Sequence, residues 1–430
     1  MGTGDRPERI ERYAIPFVIR DGLVREAADG DGAWRALALA IAEGRTIPAL
    51  AREGSANSPD AVLVCRPSPG LAGLSTPTQL ARSPERPLGR DQSNTTVVLG
   101  ETLLLKGYRR IQPGLNPDLE LTAYLSEEAG FPGVPRLAGY AEVVTRDDGV
   151  ATVAMLQAFI AGAEDVYERT AEFLAGLIGA PGSVAIEWAT EVAVDLGTLV
   201  AGLHSALGTP RPGAPDLVAR DATHDELRAW RMDTHRQLNR AIEVTTIVAP
   251  AVAADLRRWA SAIAARAARF EALATAPRVS RIHGDLHLGQ LLVSDEGYHL
   301  IDFEGEPLRP IEDRRRPDSP LRDVASMLRS LDHVARSAGR RAERRSGGPV
   351  ERPGLDIDAW IDRGRARFLS AYAEGLLRSG APLALDLDLL AAFDVAKEVH
   401  EFVYAATVLP EWLWAPHEGM RWLIEHGEPA

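Results

Sequence analysis

Lysine is almost missing from this chain. Only Lys106 and Lys397 occur among 48 basic residues, which leaves 46 arginines. The bias fits a GC-rich genome, and it singles out both lysines. Arginine does not replace lysine where a compact ammonium must touch phosphate oxygens. Cysteine is scarcer still. Cys65 stands alone, which excludes an intrachain disulfide and agrees with a cytoplasmic protein. No apolar run reaches the roughly 18 residues that a membrane-spanning helix needs. The first residues, Met-Gly-Thr-Gly-Asp-Arg-Pro-Glu-Arg, lack the apolar core of a signal peptide. Positive charge is also in deficit. A net charge of -13 argues against a general nucleic-acid binder. An anionic substrate then needs local positive charge or a metal ion.

What is present describes an ordinary globular chain, with 430 residues, 45% hydrophobic and 25% charged, enough for two or three domains. Residues 1–90 mix short apolar runs with many breakers. Tyr13–Ile19 and Ala61–Cys65 read as strands and Asp31–Glu43 as a helix. Arg66 to Arg90 is rich in Pro, Gly and Ser and reads as a linker. From Asp91 the pattern changes. Val97–Leu99, the Gly100-Glu101 turn and Thr102–Lys106 form a hairpin whose second strand carries Lys106. A helix follows over 117–129, opened by Pro117, and then two strands, Val134–Tyr140 and Val150–Phe159. After Gly162 the chain becomes mainly helical. Amphipathic segments cover Thr170–Ile178, Ile186–Leu207, two stretches within 222–273, and 321–337, 356–378 and 385–408. Ser337 to Pro353 reads as a surface loop.

One stretch inside the helical part is different. Residues 279–306 hold His283, Asp285, His287 and Gln290 in one short loop. A hairpin then ends at Asp302-Phe-Glu-Gly-Glu306. Acids and an amide at the end of a hairpin suit a metal ion held beside a nucleophile. A zinc site of His283, His287 and Asp302 is disfavoured, because the histidines are spaced i, i+4 on a loop and not on a helix.

The order of these parts, with Gln92-Ser-Asn-Thr95, Asn116-Pro-Asp-Leu-Glu120, His283–Gln290, Ile301–Pro307 and Ser319–Ala325, resembles the aminoglycoside-phosphotransferase branch of the protein-kinase-like fold. The resemblance is greatest to bacterial maltokinases and the related actinobacterial glucosamine kinases. It implies an α+β, bilobal protein: an N-terminal cap subdomain (1–90), a nucleotide-binding small antiparallel-sheet lobe (91–162) and a mainly helical catalytic and sugar-binding lobe (163–430). It implies an ATP- and Mg²⁺-dependent sugar kinase, monomeric, with ATP and a sugar as partners and neither nucleic acid nor membrane.

The resemblance also assigns residues. Asp285 accepts the proton of the substrate hydroxyl. Gln290 and Asp302 hold Mg²⁺ through oxygen, with Glu304 as a further metal group. Lys106 neutralises the nucleotide phosphates and pairs with Glu120, Asp118 being the weaker partner. Gln92, Ser93, Asn94 and Thr95 cover the phosphates in place of the Gly-x-Gly-x-x-Gly loop, which this sequence lacks. Gln157 to Ile160, including Phe159, form the hinge that reads adenine. His283 and His287 brace the loop, and His204 is a packing histidine. The acceptor falls to Glu398, His400, Glu401, Trp412 and Trp414, since carboxylates beside indole rings suit sugar hydroxyls and an ammonium. Maltokinases carry a Tyr-Glu pair followed by Ala-Arg in this segment. Here the run is His-Glu-Phe-Val-Tyr-Ala-Ala, then Leu-Pro-Glu-Trp, which is similar to the glucosamine kinases. D-Glucosamine, phosphorylated on its 6-hydroxyl, is therefore expected ahead of maltose.

Overall fold

The computed structural model describes residues 12–426, except 29, 49–60, 89–93, 147–148, 181, 212–216, 307–308 and 351–352. The chain divides into two compact units, residues 1–163 with 302–315, and residues 164–301 with 316–430. The α+β expectation holds, with one unit built on a sheet and the other on helices.

The first unit is organised by a seven-stranded sheet. Its strands are β1 (Thr46–Pro48), β2 (Ala61–Pro67), β3 (Glu85–Pro87), β4 (Asn94–Leu99), β5 (Leu103–Tyr108), β6 (Leu137–Thr145) and β7 (Gly149–Ala158). They lie in the order β1-β2-β6-β7-β5-β4-β3, with antiparallel pairing throughout. A boundary at residue 90 therefore does not divide this unit. Three strands from before it join four from after it in one sheet. The helix α1 (Ala33–Ala42) packs on that sheet through Trp34, Ala38 and Ile41. Its Trp34 ring lies so close to Gly107 of β5 that a Cβ there would come within 2.9 Å of it.

The residues expected to be a linker also carry structure. Thr76 and Gln79 make a reciprocal capping box for the short helix Pro77–Leu80, and β3 follows. Strands of three residues show no readable alternation, so composition alone suggested a loop. Pro16 breaks the expected Tyr13–Ile19 strand into Arg12–Tyr13 and Phe17–Arg20.

The second unit holds α3 (Val166–Ile178), α4 (Glu191–Gly208), α5 (His224–Val248), α6 (Pro250–Ala267), α7 (Pro320–Ser346), α8 (Ile357–Ser379), α9 (Leu387–Val408) and α10 (Trp414–His426). Between α6 and α7 lies the hairpin β8 (Leu291–Ser294) and β9 (Gly297–Leu300). The loop expected from Ser337 is instead the continuation of α7 to Ser346. Ala338 and Ala342 are buried there. Arg341 and Arg345 reach Glu168 and Glu172 on α3 at 2.9 and 2.6 Å. What looked like a solvated charge run is a helix face paired with its neighbour. Among the described residues no helix is long and apolar enough to cross a membrane.

Candidate active site

In the first unit, Lys106 stands on β5 with its ammonium among three carboxylates. Asp118 Oδ2 lies at 2.8 Å, Asp302 Oδ1 at 2.6 Å and Glu304 Oε1 at 2.7 Å. Burial opposes the charge on Lys106. Asp118, Asp302 and Glu304 outweigh it and hold the pKa well above the usual lysine range. Burial pushes the Glu304 carboxyl up, against the pull of Lys106.

The helix that supplies Asp118 is α2 (Pro117–Ala123). It starts there because Asn116 accepts the Asp118 and Leu119 amides and Pro117 needs no partner for its nitrogen. Asp118 Oδ2 also accepts the Tyr108 hydroxyl at 2.9 Å, and Oδ1 accepts the Phe303 amide at 2.9 Å. One carboxylate thus ties the lysine to the turn that presents Asp302, whose φ of +66° is unusual for a non-glycine residue.

The expected Lys106–Glu120 pair does not form. Glu120 sits two positions beyond Asp118, roughly 200° around the helix, and Arg315 binds it at 2.8 and 3.1 Å. With Lys106 in the phosphate role that the resemblance implies, Asp118→Ala is expected to weaken nucleotide binding and turnover by at least tenfold, roughly the value of a charged hydrogen bond. Glu120→Ala, which loses a half-exposed pair, is expected to cost about 1 kcal/mol or less. Steady-state kinetics with urea melts of both variants check this, and the reverse ranking defeats the assignment.

Three acids whose oxygens lie within 4.8 Å of one another, Asp118, Asp302 and Glu304, form a hard-oxygen cluster of the kind a divalent cation takes. Asn94, expected to cover phosphates, is the first residue of β4 and donates to Glu304 at 2.7 Å. Thr95 accepts from Arg109 at 3.0 Å. Gln92 and Ser93 lie outside the described residues. Gln157 is buried within β7. The amides of Ala158 and Phe159 donate to Arg136 and Thr102. Two backbone donors of the expected hinge are therefore already used. Arg86 stacks over the Phe159 ring at 5.6 Å.

In the second unit, the loop carrying Asp285 is held by a residue to which the sequence pointed without assigning it a role. Asp323, buried near the start of α7, accepts the His283 amide at 2.7 Å and the Gly284 amide at 3.0 Å. Gly284 has φ of +85°, which glycine adopts without strain. His204 Nε2 reaches the same carboxylate at 3.3 Å, and its Nδ1 contacts the Tyr372 hydroxyl at 2.9 Å. Burial opposes ionisation of Asp323, but these donors bring its pKa below the usual carboxylate value. His283 accepts the Asp285 amide at Nδ1 and contacts the Ile301 carbonyl through Nε2 at 3.1 Å. A neutral imidazole with its proton on Nε2 serves both bonds. His287 Nδ1 accepts the Gly289 amide, and Leu288 donates to Ser330 on α7. Gln290 ends the loop, its carbonyl accepting the Ile301 amide at 3.0 Å.

The expected acceptor residues separate into two groups. Glu398 is 4% exposed and ion-paired with Arg329 at 2.8 Å. Gly419 leaves it room, since a Cβ there would meet Glu398 Oε1 at 2.4 Å. Burial raises its pKa well above the usual value, against Arg329. Glu398 is an internal ion-pair partner, and sharing a helix face with Glu401 did not place it at a surface. Trp414 has one face covered by Arg340 at 3.7 Å. Trp412, 37% exposed, is the more open indole. His400 is half-buried on α9.

Glu401 accepts from Lys397, the second lysine, at 2.8 Å. Burial works against the charge of both. Lys397 and Arg329 nevertheless bring Glu401 down to about 2, while Glu401 and Asp285 hold Lys397 up. His333, which sequence reasoning missed, is flanked edge-on by Tyr167, Trp412 and Trp414. Burial and Arg329 lower it to about 3, so it is uncharged at neutral pH.

A depressed Glu401 contributes stability that is complete above its unfolded pKa and lost as pH falls through the folded value. Wild type is therefore expected to lose more stability than Glu401→Gln between about pH 5 and pH 2. Urea midpoints across that range measure it, and parallel curves rule it out.

Comparison with known proteins follows the same lines. A profile of the APH phosphotransferase enzyme family matches residues 85–369. A glucosamine kinase of Streptacidiphilus jiangxiensis is 32% identical over 413 residues, covering 94% of this chain and 84% of that protein. A glucosamine kinase of Mycolicibacterium smegmatis is 28% identical, covering 96% and 94%. A solved glucosamine kinase in complex with glucosamine, ADP and inorganic phosphate is 28% identical with a TM-score of 0.73, over 96% of this chain and 87% of that one.

Proposed function

Because this chain belongs to the APH phosphotransferase enzyme family, we propose that it is an ATP-dependent kinase of D-glucosamine that forms D-glucosamine 6-phosphate in the cytoplasm. The observation that carries the substrate is the likeness to glucosamine kinases over nearly the whole chain. The second unit supplies supporting chemistry. A carboxylate held ionised at Glu401, the open Trp412 ring and an uncharged His333 suit an ammonium-bearing sugar.

In this reading Asp285 takes the proton of the sugar 6-hydroxyl as that oxygen attacks the γ-phosphorus. The bond to the bridging oxygen of ATP breaks, and ADP leaves with its electron pair. Lys106, oriented by Asp118, neutralises phosphate charge. The donor set at Asp302 and Glu304 fits Mg²⁺, and Gln290 is assigned to the same ion on resemblance. When bound, the ion offsets charge on the phosphates. His283, Asp323 and His204 fix the Asp285 loop.

Purified protein with ATP and Mg²⁺ is offered glucosamine, maltose, glucose and kanamycin in parallel, and ADP release is followed. Glucosamine is expected to give the highest kcat/KM. Maltose turnover above that of glucosamine overturns the substrate, and ATP hydrolysis unaffected by any sugar overturns the reaction.

A further inference from the structure

The second unit carries a pocket of about 270 Å³ between α3, α4, the β8–β9 hairpin and the short helix Ile186–Ala189. Much of its wall is apolar. The Phe173 and Trp188 rings meet edge-on at 5.2 Å, and Trp188 is 58% exposed. Val166, Ala189, Val192 and Val293 complete the apolar lining. Three polar groups of the wall make no hydrogen bond and no ion pair among the described residues. They are the Thr170 hydroxyl of α3, the Asp195 carboxylate of α4 and the Tyr298 hydroxyl of β9. Thr170 is 5% exposed, and a hydroxyl so far buried is ordinarily bonded. The remaining lining residues, both charged, are paired, Arg169 with Glu164 at 3.2 Å and Glu191 with Arg367 at 2.9 Å. Asp195 is the charge left over. Burial pushes its carboxyl up, and Glu191 adds to this against the pull of Arg367.

We infer that this pocket is a binding site for a small primary amine with an aromatic body, its ammonium on Asp195, Thr170 and Tyr298 and its ring against Phe173 and Trp188. An ammonium has three N–H donors and no acceptor, which matches one carboxylate and two hydroxyls that can accept. The open Trp188 ring serves both ends of such a ligand, since an indole attracts a cation and packs an aromatic ring. Asp195, unpaired on the wall, disfavours carboxylates and phosphates. At the roughly 30 Å³ that a water molecule takes in the liquid, the volume holds about nine non-hydrogen atoms, too few for a nucleotide or a hexosamine. None of these residues has a part in the proposed phosphoryl transfer, so the inference stands or falls apart from that reading.

The probe is phenethylamine, with 2-phenylethanol as the uncharged compound of the same shape. Titration calorimetry of the full chain is expected to show one phenethylamine site, with the alcohol at least tenfold weaker. Asp195→Asn keeps the shape of the side chain and removes its charge, and is expected to weaken the amine by at least tenfold. Thr170→Val exchanges the hydroxyl for a methyl group and is expected to weaken it about tenfold, the value of one hydrogen bond to a charged group. Its melting temperature is expected at or above that of the wild type, because the hydroxyl has no protein partner to lose. Kinase turnover is expected to stay at the wild-type level in both variants. Absence of phenethylamine binding to the wild type, equal affinity for the alcohol, or unchanged affinity in either variant overturns the site. A lower melting temperature for Thr170→Val overturns the place of that hydroxyl in it, because it shows the group already bonded within the protein.

Discussion

Replacing Asp285 by asparagine is expected to lower kcat by about 10²–10⁴, the usual contribution of a positioned general base. The amide keeps the shape of the carboxylate and removes its capacity to accept the hydroxyl proton. Structure around it is expected to persist, because the loop does not depend on the Asp285 carboxylate. It is held by the His283 and Gly284 amides on Asp323 and by Leu288 on Ser330. Melting temperature and ATP affinity are therefore expected to stay at wild-type values while turnover falls. Rates at saturating substrates, with a thermal melt and a nucleotide titration on the same sample, make the test. Turnover within about threefold of wild type removes Asp285 from the role of base.

Asp323→Ala is expected to act on the fold and the chemistry together. Its carboxylate is 1% exposed and accepts from His283, Gly284 and His204. Removing it leaves three buried donors without their acceptor, at a cost of about 3–5 kcal/mol of stability. The loop loses its fixed conformation at Gly284, one residue before Asp285, so kcat is expected to fall well below what the loss of folded protein accounts for. Denaturant unfolding gives the stability, and activity per folded molecule gives the rest. A stability loss under about 1 kcal/mol defeats the account of Asp323 as the anchor of the loop. A large stability loss with normal activity per folded molecule limits Asp323 to a packing role.

These two variants mark what was readable and what was not. Asp285 stands in a crowded polar loop ahead of a hairpin, and its local pattern exposed it. Asp323 sits thirty-eight positions later in a helix start, Ser319-Pro-Leu-Arg-Asp, whose likeness to the family was visible while its target was not. The same contrast recurs at Lys106. Its rarity and its strand drew attention to it, but the choice between Asp118 and Glu120 turned on where Asn116 starts a helix and which face then looks at β5. His333 had no signal at all, being one histidine in a helix of ordinary composition. The sheet that runs across residue 90 was hidden for a related reason. Short strands become visible only through the partners that complete a sheet.

Local order was what the amino-acid sequence determined by itself. It set the α+β succession, the hairpin bearing Lys106, the polar loop of Asp285 and the phosphotransferase family, because hydrophobic period, turn residues and motif order are properties of neighbours along the chain. Tertiary structure alone decided the partners. Asp118 holds Lys106, Asp323 holds the loop of Asp285, Glu398 turns inward to Arg329, and Arg341 and Arg345 make a helix of a presumed loop. Where a charged side chain settles depends on the balance between burial and the nearest opposite charge. That position is set by residues tens to hundreds of places away in the chain.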